Sequence, residues 1–161
     1  ALLSRERPSA LALTRQNLKE LPKSKVQNMN INKGGYIVFE SSNKPDGIII
    51  ASGSEVSIAL QAAVDLKDKD LDIRVISMPC QELYERQTAA YKNKCIPKNF
   101  DNILAVESGK GQSWFRYIGK KGSMITMESF GLSGTGNDVM RYFGFTVTNI
   151  KKQMQKLIKR K

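Results

Sequence analysis

The sequence predicts a three-layer α/β/α domain from about Gly35 onward. Short apolar runs alternate with segments of helical periodicity, the pattern of strands covered by helices. Residues 47–51 read Gly-Ile-Ile-Ile-Ala, apolar on both faces, as a central strand buried on both sides requires. The length of 161 residues suits one domain with a proper core, and 40% hydrophobic with 25% charged residues is ordinary for a globular chain.

The elements follow in order. Ser9–Thr14 is short and apolar and reads as a buried strand ended by Arg15-Gln16-Asn17. Leu18–Lys33 carries Pro22, several lysines and asparagines and little periodicity, so it reads as a linker closed by Gly34-Gly35. Tyr36–Glu40 is a second strand, Ser41–Asp46 a turn of turn-forming residues, and Gly47–Ala51 a third strand. Ser54 is placed to cap a helix, with Glu55 at its positive start. Val56, Ala59, Leu60, Ala63 and Leu66 recur at helical spacing until Lys69-Asp70. Ile73–Ser77 is the next strand, which makes a crossover unit with parallel strands. Gln81–Lys94 reads as one helix with Leu83, Tyr84, Gln87 and Tyr91 on one side. Ile103–Glu107 is a strand, Trp114–Ile118 a helical turn and Met124–Glu128 the last strand, giving about five in the sheet. Phe130–Gly136 is a glycine-rich loop. Asp138–Phe143 is a short helix ended by Gly144, and Thr148 is read as the cap of a final helix with an Ile150, Met154, Leu157 and Ile158 stripe. The strand at 9–14 precedes the linker. It reads as part of a different domain, which marks the chain as a piece of a longer protein.

Composition excludes several chemistries. There is no histidine, so Ser-His and Cys-His nucleophilic catalysis and any histidine general base are ruled out within the chain. Cys80 and Cys95 form no Cys-x-x-Cys pair and have no histidine to complete a metal site, so both read as free thiols. No apolar run is long enough to span a bilayer, and no signal peptide is visible, so the expected location is cytoplasmic. The net charge of +11 comes from 26 Lys+Arg against 15 Asp+Glu. The excess is concentrated at Lys151, Lys152, Lys156, Lys159, Arg160 and Lys161. Aromatics are not interleaved with these bases as a stacking surface needs, so a solvated lysine face is preferred to nucleic-acid binding. The basic final helix also lacks bulky aromatics for a membrane surface.

Several segments, in order, resemble transketolase. They are Pro8-Ser-Ala-Leu-Ala-Leu-Thr-Arg-Gln-Asn-Leu18, Lys33-Gly-Gly-Tyr-Ile37 and Asp46-Gly-Ile-Ile-Ile-Ala-Ser-Gly-Ser-Glu-Val-Ser57. Val75-Ile-Ser-Met-Pro-Cys80 with Leu83 and Gln87, Val106-Glu107, Trp114-Phe-Arg-Tyr-Ile-Gly119 and Phe143-Gly-Phe-Thr-Val147 follow. The resemblance implies a mixed, mostly parallel sheet with one antiparallel strand. It also implies three parts: residues 1–18 as a remnant of a pyrimidine-binding domain, 19–34 as linker, and 35–161 as a transketolase C-terminal domain. The parent enzyme would use thiamine diphosphate and a divalent metal (Mg) to move a ketol group between sugar phosphates, as a homodimer. Both cofactors would be held by domains absent here, since no Gly-Asp-Gly segment with a downstream asparagine is present. The piece alone is then expected to be structural, supporting subunit assembly, and inactive. The loop at 130–136 departs from the family in having Leu132 and Gly134 where alanines are usual, and the linker is unusually rich in lysine and asparagine.

Among single residues, the resemblance implies that Arg15 binds substrate phosphate, and a guanidinium fork at a strand end suits that task. Gly53-Ser54-Glu55 opens a helix and could attract an anion, but Glu55 already puts negative charge there, so a structural turn is preferred. Glu107 and Glu128 end parallel strands and could converge in space, yet capping or ion pairing is favoured over acid/base chemistry. Met78, Met124 and Met127 read as core filling. Two alternatives stay open: another thiamine enzyme (a deoxyxylulose-phosphate synthase or a 2-oxoacid dehydrogenase β subunit), and a free-standing basic nucleic-acid-binding module.

Overall fold

The computed structural model describes residues 8–18, 20, 21 and 30–160. Among these, one sheet holds five strands: β1 (Tyr36–Phe39), β2 (Gly47–Ala51), β3 (Ile73–Ser77), β4 (Ile103–Glu107) and β5 (Ser123–Thr126). Their spatial order is β1-β3-β2-β4-β5. β1 is antiparallel to β3, and every other neighbouring pair is parallel. This is the mixed, mostly parallel sheet that the sequence led us to expect.

Alternation along the strands builds two cores. Ile49 and Ala51 of β2, Ile73 and Val75 of β3, and Leu104 and Val106 of β4 face one side. There they meet α1 (Glu55–Lys67) and α6 (Val147–Ile158) through Val56, Ala59, Ala63, Leu66, Ile150, Met154 and Leu157. The short α5 (Gly136–Tyr142) adds Met140 to the same side. Ile48, Ile50, Ile76, Ile103 and Ala105 face the opposite side. They are covered by Tyr84 of α2 (Gln81–Glu85), Cys95 of α3 (Ala89–Cys95), and Tyr117 and Ile118 of α4 (Phe115–Ile118), with Trp114 just ahead of α4. Truncating a fully buried isoleucine such as Ile49 to alanine costs about 2–5 kcal/mol by the usual sum of lost transfer energy and cavity.

One buried charge is fully occupied. Arg74 points out of β3 and is 5% exposed. Its Nε donates to Glu40 Oε2 at 2.9 Å, its Nη2 lies 2.8 Å from the same oxygen, and its Nη1 donates to the carbonyls of Lys94 and Cys95 at 2.8 and 3.0 Å. The guanidinium thus ties the end of α3 to β1 and β3, and it is compensated in the way buried charge demands.

Several local expectations are corrected. Residues 9–14 form no strand: they are irregular, and Leu11 and Leu13 are 74% and 82% exposed. A strand needs a neighbour for its N–H and C=O groups, and none of the five strands offers one to this segment. The single helix expected over 81–94 is broken at residues 86–88, because Thr88 is extended and accepts from the Tyr91 amide, starting a new helix. The final helix is capped by Thr146, two residues earlier than Thr148, with Thr146 Oγ1 accepting from the Asn149 amide at 3.2 Å. Ser54 sits at the cap position of α1, but its hydroxyl donates to Glu55 Oε1 and accepts nothing from the helix. Met78 is buried and Met124 packs at the edge of a core, whereas Met127 is half-buried and belongs to neither core.

The linker expected over 19–34 lies partly outside the described residues, namely Lys19 and residues 22–29. Its last part is ordered as a 3₁₀ turn, Ile31–Lys33, ended by Gly34 at φ 75°. Gly34 is stitched to the next layer: its carbonyl accepts from the Cys80 amide at 2.9 Å, and the Gly35 carbonyl accepts from the Tyr91 hydroxyl at 2.8 Å. A side chain at Gly34 would collide with the Cys80 carbonyl oxygen and the Tyr84 amide nitrogen, both backbone atoms with little freedom to move. Left-handed strain and this collision together predict that Gly34→Ala costs about 3 kcal/mol or more, read as a shifted urea midpoint at unchanged slope.

Candidate functional site

In an open sheet of this type, ligands bind where neighbouring strands send their connections to opposite faces. Here that point falls between β2 and β4. The chain leaves β2 for α1 on one side and leaves β4 for α4 on the other. Ser52, Gly53, Ser54 and Glu55 meet Glu107, Ser108 and Gly109 there.

The crevice is closed by the chain's own groups. Ser52 Oγ donates to Glu107 Oε2 at 2.8 Å, and the Gly109 amide donates to Glu107 Oε1 at 2.9 Å. Ser54 Oγ donates to Glu55 Oε1 at 2.8 Å, and the Ser108 side chain also bonds Glu55. Glu55 is 2% exposed. Burial pushes its carboxyl above the ordinary carboxylate range, and the negative field of Glu107 adds to this against the opposing serine bonds. The start of α1 is therefore already filled by an acidic side chain, which agrees with the structural-turn reading of Gly53-Ser54-Glu55 and leaves no room for an anion.

Glu107 and Glu128 do not share partners. Glu107 turns to Ser52 and Gly109, while the exposed Glu128 accepts from Thr126 Oγ1 at 2.9 Å and the Gly111 amide at 3.3 Å and lies 3.4 Å from Lys110 Nζ. The carboxylate that does face Glu107 is Glu55. Sequence reasoning missed this because the pairing follows from β2 lying beside β4, a crossover that leaves no local trace. Among the described residues, no group of three or more His, Cys, Asp or Glu side chains is placed to hold a metal ion.

Arg15 lies elsewhere, on the irregular segment 8–18, at a bend and exposed. The neighbouring Gln16 amide donates to Thr14 Oγ1 at 3.1 Å, and Gln16 Nε2 comes within 4.0 Å of where a side chain on Gly136 would begin. The segment thus passes the start of α5, and Arg15 makes no ion pair with any described residue. It is not brought together with Glu55 or Glu107.

These features define a doubly wound α/β domain whose switch-point crevice is filled by its own carboxylates. Comparison with known proteins supplies the family. Residues 34–146 match the model of the transketolase-like TK C-terminal domain. The chain is 39% identical over 158 residues to transketolase 1 of Vibrio vulnificus, covering 98% of this chain and 24% of that protein. Transketolase from Leishmania mexicana superposes with a TM-score of 0.74 at 33% identity, over 81% of this chain and 18% of that one. Transketolase from Pichia stipitis in complex with sedoheptulose-7-phosphate superposes with a TM-score of 0.72 at 30% identity, over 80% and 18%. The chain belongs to the transketolase C-terminal domain family, and it spans about a quarter of the length of the relatives it matches.

The raised carboxyl of Glu55 gives a pH prediction. Its folded pKa lies above the ordinary glutamate value of 4.5, so between those two points the native state holds more protons than the unfolded one. Stability from this group is present below 4.5 and is lost as pH rises through the folded pKa. In thermal melts from pH 4 to 8, the difference between Glu55→Gln and wild type should move steadily in the variant's favour as pH rises. A constant difference would show that Glu55 is not held in an unfavourable charged state.

Proposed function

We infer that the chain works as the C-terminal domain of a transketolase, which moves a ketol group between sugar phosphates in the pentose phosphate pathway. The single observation that carries this is the match along 98% of the chain to about a quarter of a transketolase. Residues 1–18 then belong to the preceding pyrimidine-binding domain, 19–34 to the linker and 35–161 to the C-terminal domain. The exposed leucines of residues 9–14 support this division, because an apolar strand sequence left facing solvent lacks the sheet it was written for.

The parent enzyme uses thiamine diphosphate and Mg. The described residues do not fit that pair, for they hold no acidic cluster able to grip the metal. Cofactor chemistry is therefore assigned to the upstream domains. This domain's part is folding support and subunit assembly in a cytoplasmic homodimer, and the isolated chain is inactive. Among the described residues, no helix is long and apolar enough to cross a membrane. Mixed ion pairs such as Lys121–Asp101 at 2.8 Å and Lys92–Glu85 at 3.0 Å support a solvated charged surface over nucleic-acid binding.

Arg15 is assigned to the phosphate of the sugar substrate. Its exposure, and the absence of an ion pair with any described residue, leave the guanidinium fork available to a phosphate once the rest of the site surrounds it. In the full-length enzyme, Arg15→Ala should raise KM for a phosphorylated ketose donor by about 10- to 100-fold, the worth of one charge-assisted contact. KM for an unphosphorylated donor should be unchanged. Equal effects on both donors would refute the phosphate role, and ketol transfer by the 161-residue chain supplied with both cofactors would refute the division of labour.

A further inference from the structure

Four large apolar side chains face water at one end of the sheet. Phe115, Phe130, Leu132 and Tyr142 are 60%, 96%, 51% and 73% exposed, and all lie on the connections that leave β4 and β5. Phe115 opens α4, Phe130 and Leu132 sit between β5 and α5, and Tyr142 ends α5.

They adjoin one another. Phe115 and Phe143 line a cleft of about 570 Å³ together with Met124 and Ile125 of β5. The Tyr142 ring packs edge to face on Phe143, with centroids 5.1 Å apart at 86°. Glu128 lines the same cleft, two residues ahead of Phe130. An aromatic side chain carries roughly 150–250 Å² of surface, so three rings bared to this degree leave on the order of 400 Å² of apolar surface, enough to mark an interaction site.

The surface is built rather than loose. The Met127 amide donates to the Gly109 carbonyl at 3.1 Å, which ties the loop after β5 to the loop after β4. Thr135 Oγ1 accepts from the Asp138 amide at 3.3 Å at the start of α5, and the Phe145 amide donates to the Met140 carbonyl at 2.8 Å beyond its end. Ion pairs beside the patch, Lys110–Glu128 at 3.4 Å and Arg141–Asp138 at 3.7 Å, cancel their charges. An apolar centre with an answered polar rim is the anatomy of a protein–protein interface.

Two observations point to what covers it. The irregular segment 8–18 reaches this place, with Gln16 Nε2 at 4.0 Å from where a Gly136 side chain would begin, and it carries the exposed Leu11 and Leu13. The chain also spans only 24% of the transketolase it matches, so most of such a protein lies outside these residues. We propose that Phe115, Phe130, Leu132 and Tyr142 form the docking face for the preceding pyrimidine-binding domain of the same polypeptide, which arrives through segment 8–18. An apolar side chain of that domain fills the cleft between Phe115 and Phe143. This inference rests on the transketolase reading, because that reading assigns residues 1–18 to the upstream domain.

Covalent footprinting of aromatic side chains, read by mass spectrometry on the 161-residue chain and on the full-length enzyme, tests it. Phe115, Phe130 and Tyr142 should label readily in the 161-residue chain and lose most of that labelling in the full-length enzyme. Equal labelling in the two would overturn the proposal. So would sedimentation of the 161-residue chain as a dimer that Phe130→Asp dissociates, since a second copy would then be the occupant. Charged substitution gives an independent reading. Phe130→Asp and Tyr142→Asp should leave the Tm of the 161-residue chain unchanged, because both side chains already face water there. In the full-length enzyme the same variants should lower the melting transition or split it in two, because a charge is then buried in the contact. An unchanged full-length transition in both variants would overturn docking at these residues. Turnover separates the two readings: a full-length protein without ketol transfer fails the transketolase reading, whereas unprotected rings in an active enzyme fail this proposal alone.

Discussion

The structure depends on the complete burial of one short strand. All five residues of β2 are shielded from water, and its two faces feed the two separate cores. A strand in that position must satisfy its backbone on both edges and carry no polar side chain. β3 and β4 supply the edges, paired in register from Gly47 to Ala51 and from Ile48 to Ala51. Gly47 opens the strand because α6 packs directly over it: a side chain there would meet the sulfur of Met154. Layer spacing, helix placement and the position of the switch point all follow from this arrangement.

Charge is handled differently on the two sides of the sheet. At the edge near α3, Arg74 is buried with a carboxylate and two carbonyls, so each of its contacts is answered. At the switch point, two carboxylates are gathered by serine hydroxyls and a backbone amide, and burial works against the ionised form of Glu55. Between α2 and α4 one carboxylate serves several groups: Glu85 lies 3.0 Å from Lys92 and 4.0 Å from Arg116, and it is bonded to the Tyr117 hydroxyl. The first arrangement is what a fold requires. The second is a self-contained turn, and the third joins α2, α3 and α4 through one shared carboxylate.

Strands were legible because their signal is local. The runs at 36–39, 47–51, 73–77 and 103–107 are β-branched, apolar and bounded by turn residues, and they form strands almost where expected. Helix breaks and caps were less legible. Thr146 and Thr148 are both able to cap, and only the αL turn at Gly144 with the Asn149 amide side chain bonding its carbonyl at 2.9 Å selects the first. Thr88 interrupts a run that carries helical spacing on both sides. Residues 9–14 carried a true apolar pattern, but a pattern becomes a strand only with a neighbour, and the described chain supplies none. The Glu55–Glu107 pairing was beyond the sequence, because it arises from strand order.

The central claim is that these residues fold around β2 as a self-sufficient sheet-and-helix unit. Native-state hydrogen exchange of the 161-residue chain tests it most directly. The amides of Ile48, Ile49, Ile50 and Ala51 should exchange only through global unfolding, with protection equal to the stability measured by urea denaturation. Exchange of those amides through local opening, well below the global free energy, would contradict the account.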